Sequence, residues 1–278
     1  MKKYISPASW FSLEYPNAWS EFEDAEDCFL FYNPERWSGN FRISAYRGGN
    51  NKYAADCIAY ELKENKMAKR VKVGNYDCAY SVDGFQENGQ EYQTHFWVTG
   101  TGELSVECSF TVAKGGDKAV AEAIIASLRI RQTNDKPWKE VIPVRVLEIN
   151  EIDEAYDWAV STIKKQLTKD FTSSAQDVAS IQKVIDSGKF GPTQRNAWEA
   201  FGVAFGSILV NEMDGMDWVT VIDGRKEVAA LRFEDSNIMV YPMDVVWTLV
   251  KDGQTVDLKK VYARIKSEVE QYIQNKED

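Results

Sequence analysis

The prevailing spacing of the apolar residues changes along this chain, and the change falls close to Pro137. Upstream, apolar and polar residues alternate with the period of two that a half-buried strand requires. Downstream they recur every three to four residues, as on one face of a helix. A chain with that switch is neither a uniform array of strands nor a bundle throughout. It implies an α+β protein, sheet-rich first and helix-rich second.

In the first half, Trp10 to Tyr15 alternates before Pro16, and Cys28 to Tyr32 ends at Asn33-Pro34, where a turn is expected. Phe41 to Tyr46 alternates again and stops at Gly48-Gly49. From Tyr53 to Lys66 the residues Ala54, Cys57, Ile58 and Leu62 follow a helical rhythm. Three further runs, 76–86, 91–99 and 103–112, are joined by Glu87-Asn88-Gly89-Gln90 and Gly100-Thr101-Gly102. Asn-Gly between alternating runs is a strong hairpin signal, so an antiparallel meander is expected here. A helix over 117–128, with Ala119, Val120, Ala123, Ile124 and Leu128 on one face, would cover the sheet.

The opening Phe11-Ser12-Leu13-Glu14-Tyr15-Pro16-Asn17-Ala18-Trp19 comes first in a suggestive order. After it come a strand ending in Asn-Pro, the Phe41 to Tyr46 strand, a helix, a meander and the closing Ile124-Ile125-Ala126-Ser127-Leu128-Arg129-Ile130. Together these resemble the PsbP/Mog-type α/β/α sandwich over residues 1–131. The resemblance implies an antiparallel-sheet sandwich used for binding. It implies no catalytic residues, and none is carried over.

Residues 132–138, polar and ending in Pro137 and Trp138, suit a linker, leaving 139–278 as a second domain. After an expected extended run over 141–149, Ile152, Ala155, Tyr156, Ala159, Ile163 and Leu167 mark one helix. Val178, Ile181, Val184 and Ile185 mark another. A third starts at Pro192-Thr193 and carries Trp198, Phe201, Phe205, Ile208 and Leu209 on one stripe, with Gly202 and Gly206 on its flank. Each interior glycine costs up to about 1 kcal/mol relative to alanine, so a neighbouring backbone is expected to pack closely there. A three-stranded meander over 217–222, 227–233 and 237–241 follows, then an amphipathic helix over 257–275. The Trp-x-x-x-Gly-x-x-x-Gly pattern at Trp198, Gly202 and Gly206, followed by Asp217-Trp218, weakly resembles an uncharacterised bacterial α+β domain over about 190–250. That likeness implies no activity.

The length of 278 residues agrees with two domains. The formal charge of -10 opposes attachment to phosphate backbones or anionic lipid. Up to Trp138 there are 16 basic and 19 acidic residues, and beyond it 17 and 24, so neither half is a hidden basic domain. Nucleic acid is therefore not an expected partner. Lys2 and Lys3 are followed by no apolar stretch of signal-peptide type, and the most apolar run, 197–210, is too short to cross a bilayer. The reading is a cytoplasmic protein without membrane attachment. Cys28, Cys57, Cys78 and Cys108 form no C-x-x-C pair and read as reduced thiols among apolar neighbours.

His95 is the only histidine, which excludes histidine triads and two-histidine metal sites. Phosphate-loop, dinucleotide and Gly-x-Ser-x-Gly patterns are missing. No cofactor is expected. Carboxylate chemistry stays open: Asp214, Asp217 and Asp223, around the first strand of the second domain, could hold a hard cation. The plainer reading makes them turn and strand-flanking residues. In the loop 33–40, Arg36 and Trp37 form the kind of pair enriched at interface hot spots. The acidic run 21–27, with Glu23 and Asp24 at its centre, is either a solvated loop or a docking patch. The expectation is a non-enzymatic binding module, adaptor-like or immunity-like, that holds a protein or peptide on its first domain or in the groove between domains. Its alternatives are a carboxylate-dependent metal-binding hydrolase and a small-molecule or lipid carrier.

Overall fold

The computed structural model describes residues 1–25, 27–132, 135–224 and 226–277. Glu26 of the acidic run, Thr133 and Asn134 of the expected linker and Arg225 of the meander turn lie outside the described residues. The chain divides into two units. The first is Met1–Val146 with Ile222–Glu227, and the second is Leu147–Val221 with Val228–Asp278.

The first unit begins with β1 (Lys2–Ile5), β2 (Phe11–Tyr15), β3 (Ser20–Phe22), β4 (Cys28–Tyr32) and β5 (Asn40–Arg47). Helix α1 (Tyr53–Glu64), β6 (Lys69–Val73), β7 (Tyr76–Glu87), β8 (Gln90–Thr101) and β9 (Leu104–Ala113) follow. It continues through α2 (Ala119–Ala126), β10 (Arg129–Ile130) and β11 (Lys139–Pro143). One antiparallel sheet of seven strands has the order β3-β4-β5-β9-β8-β7-β6, and a smaller sheet has the order β1-β2-β10. The Asn88-Gly89 signal closes the long β7–β8 hairpin: both residues have positive φ, 51° and 79°, the conformation a two-residue turn matched to strand twist demands.

Register fixes the two faces of the large sheet. Tyr80 stands opposite Trp97, Trp97 opposite Cys108, and Phe110 opposite Phe41. This inner face packs with Tyr4, Phe11 and Leu13 of the small sheet and with Ala121, Ile124 and Ile125 of α2 to form the core. The alternate residues form the outer face. Helix α1 packs across β7, β8 and β9 on that side, where Glu107 faces Glu61.

The unit extends past the expected boundary at 131 because β11 is bound into it. Ile142 packs against Ile5 and Ile222 in a small apolar cluster. The Arg145 side chain, 1% exposed, donates to the Ile5 carbonyl (3.1 Å) and to Glu227 (2.9 Å). Part of the run 141–149, expected to be extended, is helical, since a long helix opens at Val146.

That helix is α3 (Val146–Leu167). It is followed by α4 (Asp177–Asp186), α5 (Arg195–Glu212), β12 (Met216–Asp223), β13 (Lys226–Phe233), β14 (Met239–Val240), α6 (Pro242–Lys251) and α7 (Leu258–Glu277). The second unit is built on α5, whose Phe201, Phe205, Ile208 and Leu209 are fully buried. Around them lie Ala159 and Ile163 of α3, Val178 and Ile181 of α4, Leu231 of β13, Val246 of α6 and Ile265 of α7. Helix α6 has no counterpart in the sequence reading, which ended the meander at Pro242. Proline suits the first turn of a helix, where its missing N–H is not needed, and here it opens one. No helix among the described residues is long and apolar enough to cross a membrane.

Candidate functional site

The outer face of the seven-stranded sheet is only partly covered by α1. On its uncovered part Trp37, Phe85 and Phe96 are 42%, 45% and 40% exposed, large values for such side chains. Phe85 and Tyr92 are cross-strand partners in the β7–β8 hairpin, with rings stacked 5.4 Å apart. The loop between β4 and β5 lays Trp37 edge-on against Tyr92 at 5.9 Å, and its indole N–H donates to Asn40 Oδ1 (2.6 Å). The Asn33 carboxamide shapes that loop by accepting from the backbone N–H groups of Glu35 and Arg36.

Polar groups continue the surface. Thr94 and Thr111, opposite one another on β8 and β9, share a hydrogen bond of 2.9 Å. Asn40 pairs with Thr111 and Arg42 with Ser109, so both β5 side chains belong to this face. Arg42 Nε donates to Asp24 Oδ2 at 2.6 Å. The acidic segment and the Trp37 loop, which flank β4 in the chain, are therefore tied to neighbouring outward positions of one strand, Asn40 and Arg42. Arg36 and Glu23 are exposed at the margins of the same loops.

Sequence reasoning missed Phe85, Tyr92 and Phe96. Strand β8 carries aromatics on both faces, with Tyr92 and Phe96 outward and His95 and Trp97 inward, so its pattern does not say which set is buried. His95 is part of the inner face. Tyr80 Oη lies 2.7 Å from Nδ1, and Gln93 Nε2 lies 3.1 Å from Nε2 and 3.2 Å from the Gly116 carbonyl. The carbonyl can only accept, so the Gln93 nitrogen is a donor, Nε2 accepts from it and the ring proton sits on Nδ1. Burial, with Lys118 close by, holds the imidazole below its usual pKa.

The carboxylates of the metal alternative are not brought together. Asp217 and Asp223 sit near opposite ends of β12, six residues or about 20 Å apart at strand rise. Asp223 is paired with Lys139 at 2.9 Å, which lowers its pKa. Among the described residues no cluster of three or more His, Cys, Asp or Glu could hold a metal ion. The four cysteines are free thiols, Cys78 and Cys108 buried and Cys28 and Cys57 half-buried, and burial raises the pKa of Cys108 well above the ordinary range.

A mixed α+β chain whose first unit pairs a seven-stranded antiparallel sheet with flanking helices, and whose described residues gather no metal-binding cluster, defines the class to which this protein can be compared. The family described as "Domain of unknown function (DUF3805)" matches residues 1–153, and the chain belongs to it. "Domain of unknown function (DUF3806)" matches residues 177–262. A crystal structure of a protein from Bacteroides thetaiotaomicron VPI-5482 is similar at 50% identity with a TM-score of 0.90, over 94% of this chain and 97% of that one. The first half is weakly similar to PsbP-like folds. Cyanobacterial PsbP (CyanoP) from Synechocystis sp. PCC 6803 matches at 11% identity and TM-score 0.26, over 47% of this chain and 92% of its own. LpqN, involved in cell envelope biogenesis of Mycobacterium tuberculosis, matches at 11% and 0.29, over 44% and 83%. No curated protein matches the chain.

Proposed function

We propose that the chain is a non-enzymatic protein-binding module, adaptor-like or immunity-like, that docks an extended segment of a partner protein on the outer face of its seven-stranded sheet. The observation that carries the reading is the exposure of Trp37, Phe85 and Phe96 on one face, where Tyr92 packs against both Trp37 and Phe85. Large aromatic side chains held in place lose little freedom on binding, and such residues dominate interface energetics. Between them Thr94, Thr111 and Asn40 offer hydrogen-bond partners, so the occupant is a segment whose apolar side chains are separated by polar ones. Glu23 and Asp27 are exposed beside the Arg42–Asp24 pair, which calls for a basic residue at that end of the partner. Four free thiols fit a reducing compartment, in keeping with a cytoplasmic setting.

The test is quantitative. Proteins captured from a native extract by the wild-type chain are compared with those held by Trp37→Ala/Phe96→Ala and by Glu23→Lys/Asp24→Lys, and each captured partner is then purified and titrated. The expected result is a partner whose affinity falls at least about tenfold in the aromatic variant and by less in the charge variant. A partner that binds both variants as it binds the wild type overturns the assignment of this face.

A further inference from the structure

Residues 66–73 carry Lys66, Lys69, Arg70 and Lys72 and no carboxylate, in a chain whose formal charge is -10. Most of this stretch is β6, the strand at one end of the seven-stranded sheet. All four cationic residues are exposed. Lys69 lies over the Tyr80 ring at 5.5 Å. Lys66, Arg70 and Lys72 have no ion-pair partner among the described residues, although Asp77 stands across the ladder from Lys72.

Strand β6 pairs within the sheet only with β7, so one side of its backbone is open. Gly74 and Asn75 form the two-residue turn between the two strands, with Val73 opposite Tyr76 and a φ of 55° at Gly74. The pair that closes such a turn is hydrogen-bonded, and bonded pairs recur at every second residue. The N–H and C=O groups of Val73, Val71 and Lys69 are thus turned to β7, and those of Arg70 and Lys72 face away from the sheet. Arg70 and Lys72 also share one face, opposite Ala79 and Asp77, with Val71 between them on the other face. Two alternate positions therefore each offer a backbone donor and acceptor together with a cation.

Lysines on an edge strand discourage pairing with another edge of the same kind. Two copies of β6 side by side would set like charges opposite one another, which is unfavourable, whereas carboxylates in those positions are favourable. The cations therefore select among incoming strands rather than refusing all of them. We infer that β6 binds an extended acidic segment of a partner protein as an added strand, with carboxylates at i and i+2 opposite Arg70 and Lys72 and an apolar residue between them opposite Val71. The inference does not rest on the aromatic docking face.

The probe is the end-blocked peptide Thr-Glu-Val-Glu-Thr, titrated at low ionic strength into the isotope-labelled full chain and followed by amide NMR. Saturable shifts centred on the Arg70 and Lys72 amides are expected, weakened by added salt. Arg70→Glu/Lys72→Glu should weaken binding at least about fivefold, and both residues are exposed, so the variant keeps the fold. Methylating both glutamate backbone nitrogens removes the donors that would face β6 while keeping the charge, and should abolish binding. The peptide Thr-Lys-Val-Lys-Thr should not bind, and Trp37→Ala should bind the acidic peptide as the wild type does. Absence of saturable shifts overturns the inference, as does undiminished binding by the charge variant. Retained binding of the methylated peptide overturns strand addition, leaving charge attraction alone. Shifts of the same amides that grow with protein concentration in the absence of peptide would overturn it in favour of a second copy of the chain.

Discussion

Gly202 of α5 lies so close to Pro242 of α6 that a methyl group on its Cα would stand 1.9 Å from the proline carbonyl oxygen. The obstruction is backbone, which cannot rotate aside. At Gly206, one turn on, the nearest atoms are the Pro242 ring carbons at 2.9 and 3.0 Å, which can yield slightly. Gly202→Ala is therefore expected to separate α5 from α6 and to destabilise by about 3 kcal/mol or more, outweighing the gain of up to about 1 kcal/mol that alanine brings to a helix. Gly206→Ala should cost less, and Gly49→Ala, with nothing within 4 Å, should be near neutral. Thermal melts of the three variants give the ranking, and equal midpoints for Gly202→Ala and Gly49→Ala would contradict the packing.

The two glycines also show how far the sequence could be read. Their placement on the flank of a strongly apolar helix implied a closely packed neighbour, but not which segment supplied it. The segment is α6, hidden because Pro242 reads equally as the end of a strand or the start of a helix. The strands β1 and β6 were missed for a related reason. Lys2, Lys3, Lys69, Arg70 and Lys72 mask their apolar residues, and strand pairing here is decided by neighbours remote in sequence. At the proposed docking face the loop aromatic Trp37 was legible from turn composition. Its association with Asp24 was not, because it depends on Asn40 and Arg42 sharing one face of β5.

His95 sets a pH dependence. Its pKa is lowered in the folded protein by burial first and by Lys118 second. The unfolded chain protonates this residue near its usual pKa of about 6.5, and the folded protein only at lower pH. Stability from the neutral ring is thus fully present above that value and is lost as pH falls toward the folded pKa. In urea unfolding at pH 7.5 and 5.5, the wild type should lose more stability on acidification than His95→Gln. Parallel losses in the two proteins would remove the assignment.

Arg145 is the buried charge on which the end of the first unit depends. Its guanidinium meets Glu227 at 2.9 Å, and Ser9 Oγ donates to the other carboxylate oxygen at 3.3 Å. Arg145→Met would strand the Glu227 carboxylate in a poorly solvated site, with an expected cost of about 3–5 kcal/mol. Combining it with Glu227→Gln removes the stranded charge and should recover part of the loss. A double variant no more stable than Arg145→Met alone would show that the carboxylate is already well solvated.

Asp177, at the start of α4, closes a polar knot in the second unit. Its buried carboxylate accepts from Lys169 Nζ (2.9 Å), from the backbone N–H and hydroxyl of Thr172 (2.8 and 2.9 Å) and from the backbone N–H of Ser174 (3.4 Å). Burial alone would raise its pKa, but the Lys169 and Thr172 hydrogen bonds outweigh it and hold the group well below the ordinary carboxylate range. Asp177→Asn replaces one accepting oxygen with a donor and removes the charge that Lys169 faces, so a loss of about 2–4 kcal/mol at pH 7 is expected. A depressed pKa adds stability that is fully present above the unfolded value, near 3.9, and fades as pH falls toward the folded one. The deficit of Asp177→Asn relative to the wild type should therefore shrink between pH 4 and pH 2 in denaturant titrations. A deficit that stays constant through that range would mean the knot acts through shape alone, without its charge.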